Sequence, residues 1–486
     1  MTRTLEFWET ALRDGQQSLW ATRMTMPMIA PIADTMGGCG YWCIEVMSGA
    51  VYEASYHFNA EDPWERVRLI ARASRGNHVA AIIRALSVFG WSTLPDEAFP
   101  FAMNVLAGNG ITLVNLFDGL NDTANITVPL QAAKERGLHV AATLIFTESP
   151  IHTDAYYVAK AKELLALGAD SIILEDAASL MTTARLRVLI MKLRSAIGDQ
   201  ALFHFQTHCA SGLGALNAIE AMRLGIDVAQ TAISPLADGT SNPPTEFMVR
   251  EAAESGLQVR LDVDALDRIA RHFREQAALQ GKPLGRPVTP EPSLVRHQVP
   301  GGMRSNLESQ LQALGMADRL RHVLDEISRI REELGWPIMV TPISQFVGVQ
   351  ALLNVIEGER YKTVQADLAN YVLGWFGKVS GRIDPDVFDR LSGGREPISE
   401  RPGARAEPVM SRLQDQEGPF MSDEDQLAAL QIARPVRERW ETARRLHPSR
   451  SVMRTPVATL LRELTHRPEV SYVFLGKGAT TFNYQR

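Results

Sequence analysis

The residues able to do chemistry in this 486-residue chain gather behind short apolar runs. Leu12-Arg13-Asp14-Gly15-Gln16-Gln17-Ser18 follows the first run, Arg84 ends the third, Asp118 the fourth and Glu175-Asp176 the sixth. Gln206-Thr207-His208-Cys209 ends the seventh, and Asp238-Gly239-Thr240-Ser241 comes after the eighth. Carboxylates, an imidazole and a guanidinium on one rim are the donors that hold a divalent cation and an anionic substrate. Each residue also has a plainer reading. Asp14 or Asp176 alone reads equally well as the N-cap of the next helix. His208 alone reads as a hydrogen-bonded structural histidine, and Arg84 as a rim ion pair. His204, inside its strand, reads as interior filler, and Cys39 and Cys43 as buried thiols on one strand face.

The runs themselves predict the scaffold. From Leu5 to Ile233, eight β-branched segments alternate with helical periodicity: Leu5–Leu12, Cys39–Met47, His78–Arg84, Ile111–Phe117, Leu138–Phe146, Ser171–Glu175, Phe203–His208 and Asp227–Ile233. Glycines at 37, 38, 110, 137, 168 and 225 punctuate the helix-to-strand joints. No Gly-x-Gly-x-x-Gly opens the first helix, so eight β/α units predict a TIM (β/α)8 barrel rather than an open doubly wound sheet. Strand ends of such a barrel are where its active site is built. The barrel is expected over 1–290, a mainly helical domain over 291–391, a Gly/Pro/Arg/Glu-rich linker over 392–408 and a small region over 409–486. In the helical part, 307–333, 345–357 and 364–373 read as helices, and 424–444 as another near the end.

Composition narrows the class. Apolar residues are 45% and charged residues 22%, ordinary for a globular protein with a large core. A net charge of -6 argues against nucleic acid as a partner. Three cysteines without metal or redox spacing predict reduced thiols in a cytoplasmic setting, and no apolar stretch is long enough for a membrane span.

Taken in order, the motifs resemble the carboxyltransferase domain shared by pyruvate carboxylase, the oxaloacetate decarboxylase alpha subunit and the central subunit of transcarboxylase. The likeness runs from Leu12 to about Asp389. It rests on Leu12-Arg13-Asp14-Gly15 with Gln17-Ser18, Glu61-Asp62-Pro63-Trp64-Glu65-Arg66, Phe117-Asp118, Thr207-His208 with Ser211-Gly212, and Thr240-Ser241-Asn242-Pro243. Further on come His297-Gln298-Val299-Pro300-Gly301-Gly302-Met303 with Ser305-Asn306-Leu307, Val340-Thr341-Pro342 with Ser344-Gln345, and Gly358-Glu359-Arg360-Tyr361-Lys362.

The resemblance implies carboxyl transfer between biotin and a 2-oxo acid such as pyruvate or oxaloacetate. It implies Asp14, His208 and the residues at positions 175 and 206 as ligands of a divalent metal (Zn, Mn or Mg). Thr240 would relay a proton, with Ser241 beside it at the biotin site. Arg84 would grip the substrate carboxylate, and Arg13, Gln17 and Asp118 would complete the catalytic set. Partners implied are a biotin carrier protein and a biotin carboxylase subunit, with a homodimeric assembly. No biotin-attachment signal resembling Ala-Met-Lys-Met occurs, so biotin is expected on another polypeptide.

The departures fall in the site: Glu175 stands where the family carries a lysine, Gln206 where it carries the first histidine, Cys209 for an aspartate, Gln16 for a histidine, Trp91 for an aromatic hydroxyl and Asn115 for an arginine. A neutral amide is a weaker ligand than imidazole for borderline-soft metals. Two other functions stay open on these residues: a biotin-independent decarboxylase or lyase acting on a keto acid, and a catalytically silent carboxylase scaffold.

Overall fold

The computed structural model describes residues 3–289, 298–299, 307–308, 310–313, 315–411, 413, 422–446, 472–477 and 480–485. Most of the motif at 297–307 therefore lies outside the described residues, as does 447–471. Eight parallel strands close into a barrel in sequence order: β1 (Glu6–Glu9), β2 (Cys43–Met47), β3 (His78–Arg84), β4 (Leu113–Phe117), β5 (His139–Ile145), β6 (Ser171–Asp176), β7 (Leu202–Thr207) and β8 (Val228–Thr231). Closure runs through β1 and β8, where Glu6 pairs with Val228 and Glu9 with Thr231. The expected TIM barrel followed by a helical region is what the chain forms.

Two cores follow from strand alternation, which sends successive side chains to opposite faces. Trp8, Cys43, Ala80, Leu113, Ala141, Ile173 and Val228 pack inside the barrel, and Phe7, Ile44, Ala81, Val114, Ala142 and Ile172 pack outward under the helices. The interior parity also carries Glu45, Ile82, Arg84, Asn115, Thr143, Glu175 and Gln206 toward the C-terminal mouth. Strand sequence thus selects which polar groups meet there. His204, read as interior filler, is fully buried edge-on to Trp8 and Trp42, with ring centroids 5.7 and 5.2 Å away.

Cys39 and Cys43 do not share a strand face. Cys39 precedes β2 and joins the outer core, whereas Cys43 points inside. Both thiols are buried, as read. Among the punctuating glycines, Gly225 takes φ +104° and closes its helix, while Gly37 serves contact: a Cβ there would collide with the Ala73 carbonyl oxygen.

The helical region is built on an amphipathic helix, Leu320–Glu333, whose Val323, Ile327 and Ile330 pack with Phe346, Val347 and Ala351 of the helix Ile343–Glu357. Arg331 ties it to the barrel, donating to Thr147 Oγ1 and the Glu148 carbonyl, each at 2.9 Å. The segment 392–408, read as a linker, contains the short helix Pro402–Arg405, with Pro402 and Gly403 buried against the barrel. The single helix expected over 424–444 is two, Asp423–Gln431 and Arg434–Leu446. An antiparallel hairpin, β9 (Tyr472–Lys477) and β10 (Thr480–Gln485), follows. Among the described residues no helix is long and apolar enough to cross a membrane.

Candidate active site

The site begins where β1 stops. Instead of continuing to Leu12, β1 ends at Glu9 and the chain enters a π-helical turn, Ala11–Gly15. Such turns displace side chains from regular helix positions and recur at functional sites. Here the turn aims Arg13 and Asp14 into the barrel mouth. Arg66 braces it from outside, donating to the Leu12 and Met24 carbonyls at 3.5 and 2.6 Å. Gly15 keeps it close to the β8 loop, since a Cβ would come 2.8 Å from the Leu236 carbonyl oxygen.

Arg13 and Asp14 anchor a buried network. The Arg13 Nε donates to Glu45, and its Nη1 lies 3.3 Å from Asp14 Oδ1. Glu45 is wholly buried where the β2–β3 register slips, a bulge that re-aims its strand. It accepts from Asn115 Nδ2 at 3.4 Å, and Asn115 Oδ1 accepts from the Thr143 hydroxyl at 2.6 Å. Sequence reasoning missed Glu45. Its one signal was a lone acid inside the apolar strand Cys-Ile-Glu-Val-Met.

On the other side, His208 Nε2 lies 2.7 Å from Asp14 Oδ2, and the Gln206 amide donates to the same oxygen at 3.4 Å. Ser18 Oγ donates to Asp14 Oδ1 at 3.3 Å. Burial opposes ionisation of Asp14, but His208 and Arg13 outweigh it and hold the carboxyl well below the usual range. Burial also opposes a charged His208, yet the Asp14 carboxylate outweighs it and holds the imidazole above its ordinary value. Glu175 faces the same charges, and burial lifts it to about 7 against the pull of Arg13 and His208.

The implied metal can be tested against these contacts. Two ligands sharing one zinc ion at about 2.0–2.1 Å in a tetrahedral set stand about 3.4 Å apart. His208 and Asp14 are bonded directly instead, and Gln206 turns a donor toward Asp14 while its Oε1 has no protein partner. No group of three or more His, Cys, Asp and Glu able to hold a metal occurs among the described residues. As placed, Asp14, His208 and Gln206 form a hydrogen-bonded network with Glu175 beside it, the Asp14–His208 pair closer together than ligands of a tetrahedral zinc ion.

The β8 loop brings Thr240 to this network: its Oγ1 donates to the Ser18 carbonyl at 3.2 Å, and the residue is half-buried at the rim. Ser241, expected beside it at the biotin site, is fully buried and donates to the Leu236 carbonyl at 2.7 Å. Its hydroxyl proton is engaged within the loop that presents Thr240. Gln17 is exposed, its Oε1 accepting from Ser48 Oγ at 3.4 Å.

Arg84 sits at the β3 end, above Gly49, where a Cβ would meet its Nη1 at 2.5 Å. Its guanidinium lies over Trp91, 4.3 Å from the ring centroid, and lines a pocket with Ser87, Phe117, Thr341 and Pro342. Asp118 borders that pocket but is engaged by its own loop. Its Oδ1 accepts from the Leu120 and Asp122 amides at 2.9 and 2.8 Å, and its Oδ2 from Asn125 Nδ2 at 3.0 Å. Asp176 likewise holds the Leu180 and Met181 amides at 2.8 and 2.9 Å. For Asp176 the capping alternative matches these contacts.

Burial lifts Asp118 to about 7 from 3.8. The folded chain therefore keeps this proton after the unfolded chain has lost it, and the stability so gained drains away as pH rises through that interval. Asp118→Asn retains an acceptor for the two amides and removes the titration. Its unfolding free energy should fall less steeply between about pH 4 and pH 7 than that of the unsubstituted protein, read from urea titrations at stepped pH. An unchanged slope would show that Asp118 is ionised throughout.

Comparison with known proteins places this geometry. A family model described as a conserved carboxylase domain matches residues 294–479. The pyruvate carboxylase B chain of Methanocaldococcus jannaschii is 36% identical over 424 residues, covering 86% of this chain and 74% of that protein. The methylmalonyl-CoA carboxyltransferase 5S subunit of Propionibacterium freudenreichii is 35% identical, covering 81% of this chain and 78% of its own length. The carboxyl transferase domain of Rhizobium etli pyruvate carboxylase, solved with pyruvate and biocytin, superposes with a TM-score of 0.84 at 27% identity, covering 91% of this chain and 78% of that one. Against a longer Rhizobium etli pyruvate carboxylase chain, the match spans 44% of that chain. With this barrel and these motifs in order, the chain belongs to the carboxyltransferase family that includes this archaeal pyruvate carboxylase component and the transcarboxylase 5S subunit.

Proposed function

We propose that this chain is a carboxyltransferase subunit that moves a carboxyl group between biotin on a separate carrier protein and a 2-oxo acid such as pyruvate or oxaloacetate. The observation that carries the reading is the convergence of Thr240 with the Arg13–Asp14–His208 network at the barrel mouth, through Ser18. Biotin, when bound, supplies the ring nitrogen that accepts and releases the carboxyl group. The half-buried Thr240 fits that partner, since its hydroxyl is at the rim and makes a single bond to a backbone carbonyl.

The residues divide the work. The Arg84 guanidinium offers a planar fork to the substrate carboxylate, and Trp91 limits the orientations it can take. Arg13 and His208 place positive charge where an enolate oxygen develops, and a preorganised charge in a site shielded from water acts most strongly there. Thr240 Oγ1 passes the proton taken from the substrate methyl carbon to the biotin nitrogen, in concert because a hydroxyl is a weak base alone.

This reading assigns the chain a biotin carrier and a biotin carboxylase subunit as partners, and a homodimeric state by likeness to the family. Three unpaired, buried cysteines agree with a cytoplasmic location. The deciding experiment presents the purified chain with oxaloacetate, with and without free biotin, and follows pyruvate release. Biotin-stimulated release supports the proposal. Release at the same rate without biotin selects the lyase, and none in either case the silent scaffold.

A further inference from the structure

The helices at 423–446 belong to no part of the site described above, yet they are fastened to the loop that follows the substrate-gripping arginine. Residues 85–97 connect β3 to the helix Ala98–Gly108. Within that loop the Arg84 Nη1 donates to the Phe89 and Gly90 carbonyls at 2.8 and 3.1 Å, and Ser87 Oγ donates to the Gly90 carbonyl at 2.7 Å. The amide protons of the same two residues go elsewhere. Both are accepted by Gln431 Oε1, the Phe89 contact being 3.0 Å, and the Gly90 amide is shared with the Ser87 carbonyl at 3.0 Å. One dipeptide is thus held by Arg84 through its carbonyls and by Gln431 through its amides.

Other contacts secure the loop from residues 401–410, just before those helices. Arg401 pairs with Asp96, the Asp96 amide donates to the Gly403 carbonyl at 3.2 Å, and Glu97 Oε1 accepts the Val409 and Met410 amides at 2.8 and 3.1 Å. Leu427, Ala428 and Ile432 are buried in the outer barrel core, which fixes the helix bearing Gln431. The Trp440 indole donates to the Glu61 carbonyl at 2.9 Å.

We infer that Gln431 is a positioning residue: by clamping the Phe89–Gly90 amides it sets the Arg84 guanidinium for the carboxylate of the 2-oxo acid. The inference rests on the reading of Arg84 as the carboxylate grip, but the clamp has a readout of its own. Without Gln431, the Phe89 amide loses its acceptor and the Gly90 amide keeps only the Ser87 carbonyl, which loosens the dipeptide whose carbonyls hold Arg84.

The experiment uses the full chain and three variants, Gln431→Ala, Gln431→Glu and Arg84→Met. In the first, the NMR signal of the Arg84 Nε–H should move and the Phe89 amide should exchange with solvent about tenfold faster, the Gly90 amide less so because it keeps the Ser87 carbonyl. The KM for the 2-oxo acid should rise about tenfold with kcat little changed. The carboxylate of Gln431→Glu can still accept both amides, so it should restore all three readouts. In an Arg84→Met background, Gln431→Ala should raise KM no further. An unmoved Arg84 signal overturns the inference whether or not the protein turns over a 2-oxo acid. So does a loss falling equally on kcat, or one that adds in full to that of Arg84→Met. A wild-type chain inert toward 2-oxo acids, with the Arg84 signal still following Gln431, would sink the functional reading while leaving the clamp in place.

Discussion

Thr240→Ala lowers carboxyl transfer by about 10²–10⁴-fold, the range supplied by a positioned proton relay. The side chain donates one hydrogen bond, to the Ser18 carbonyl, and lies half-buried at the rim, so its removal leaves no buried group unpaired. Melting temperature should therefore stay close to that of the parent, and pyruvate binding measured by calorimetry should be little altered. Thr240→Ser, which keeps the hydroxyl, should recover most of the rate. Normal turnover by Thr240→Ala would remove the relay from the mechanism, and a rate lost together with the fold would reassign Thr240 to the loop.

Glu45→Ala should be among the most destabilising single changes in the barrel, by about 3–5 kcal/mol, because it leaves a buried guanidinium without its main counter-charge. Glu45 is wholly buried, and its partner Arg13 is nearly so. Asp14 remains 3.3 Å from Arg13 and returns part of the loss, which places the effect toward the lower end of that range. Activity should fall as well, since Asp14 would be drawn toward Arg13 and away from His208. Urea unfolding reads the first effect, and Glu45→Gln, which keeps an acceptor, should fall between the two. Parent-like stability in Glu45→Ala would mean that solvent reaches Arg13 once the acid is gone.

Much of the scaffold was readable because apolar periodicity and the barrel's strand order carry the same information. β3 is found residue for residue, and β4 to β8 differ from expectation by one or two residues at an end. β1 is where pattern failed: Ala11 and Leu12 are apolar and buried, but the chain has already turned, and a one-turn π-helix has no period of its own to detect. The site was half legible. Asp14, Gln206 and His208 do meet, because strand ends of one barrel share a rim, and Thr240 joins them at one remove through Ser18. Ser241 and Asp118 are identical in type to working residues, and their hydrogen bonds to their own loops could not be read from the sequence. Glu45 was invisible for the opposite reason. It lies 32 positions from Arg13, and nothing short of the closed barrel brings them together. Gln431 is more extreme, reaching Phe89 across 342 positions from a region whose composition suggested nothing.

The seating of Leu427, Ile432 and Trp440 in the outer barrel core has a practical consequence for anyone trimming the protein. A version stopped near residue 391 would lay bare the apolar ground under those side chains around Tyr56 and the helix Ala98–Gly108. Uncovered hydrocarbon of that kind draws molecules into clumps. Poor solubility of a shortened version would then report a missing cover, and would say nothing about whether the barrel itself can fold.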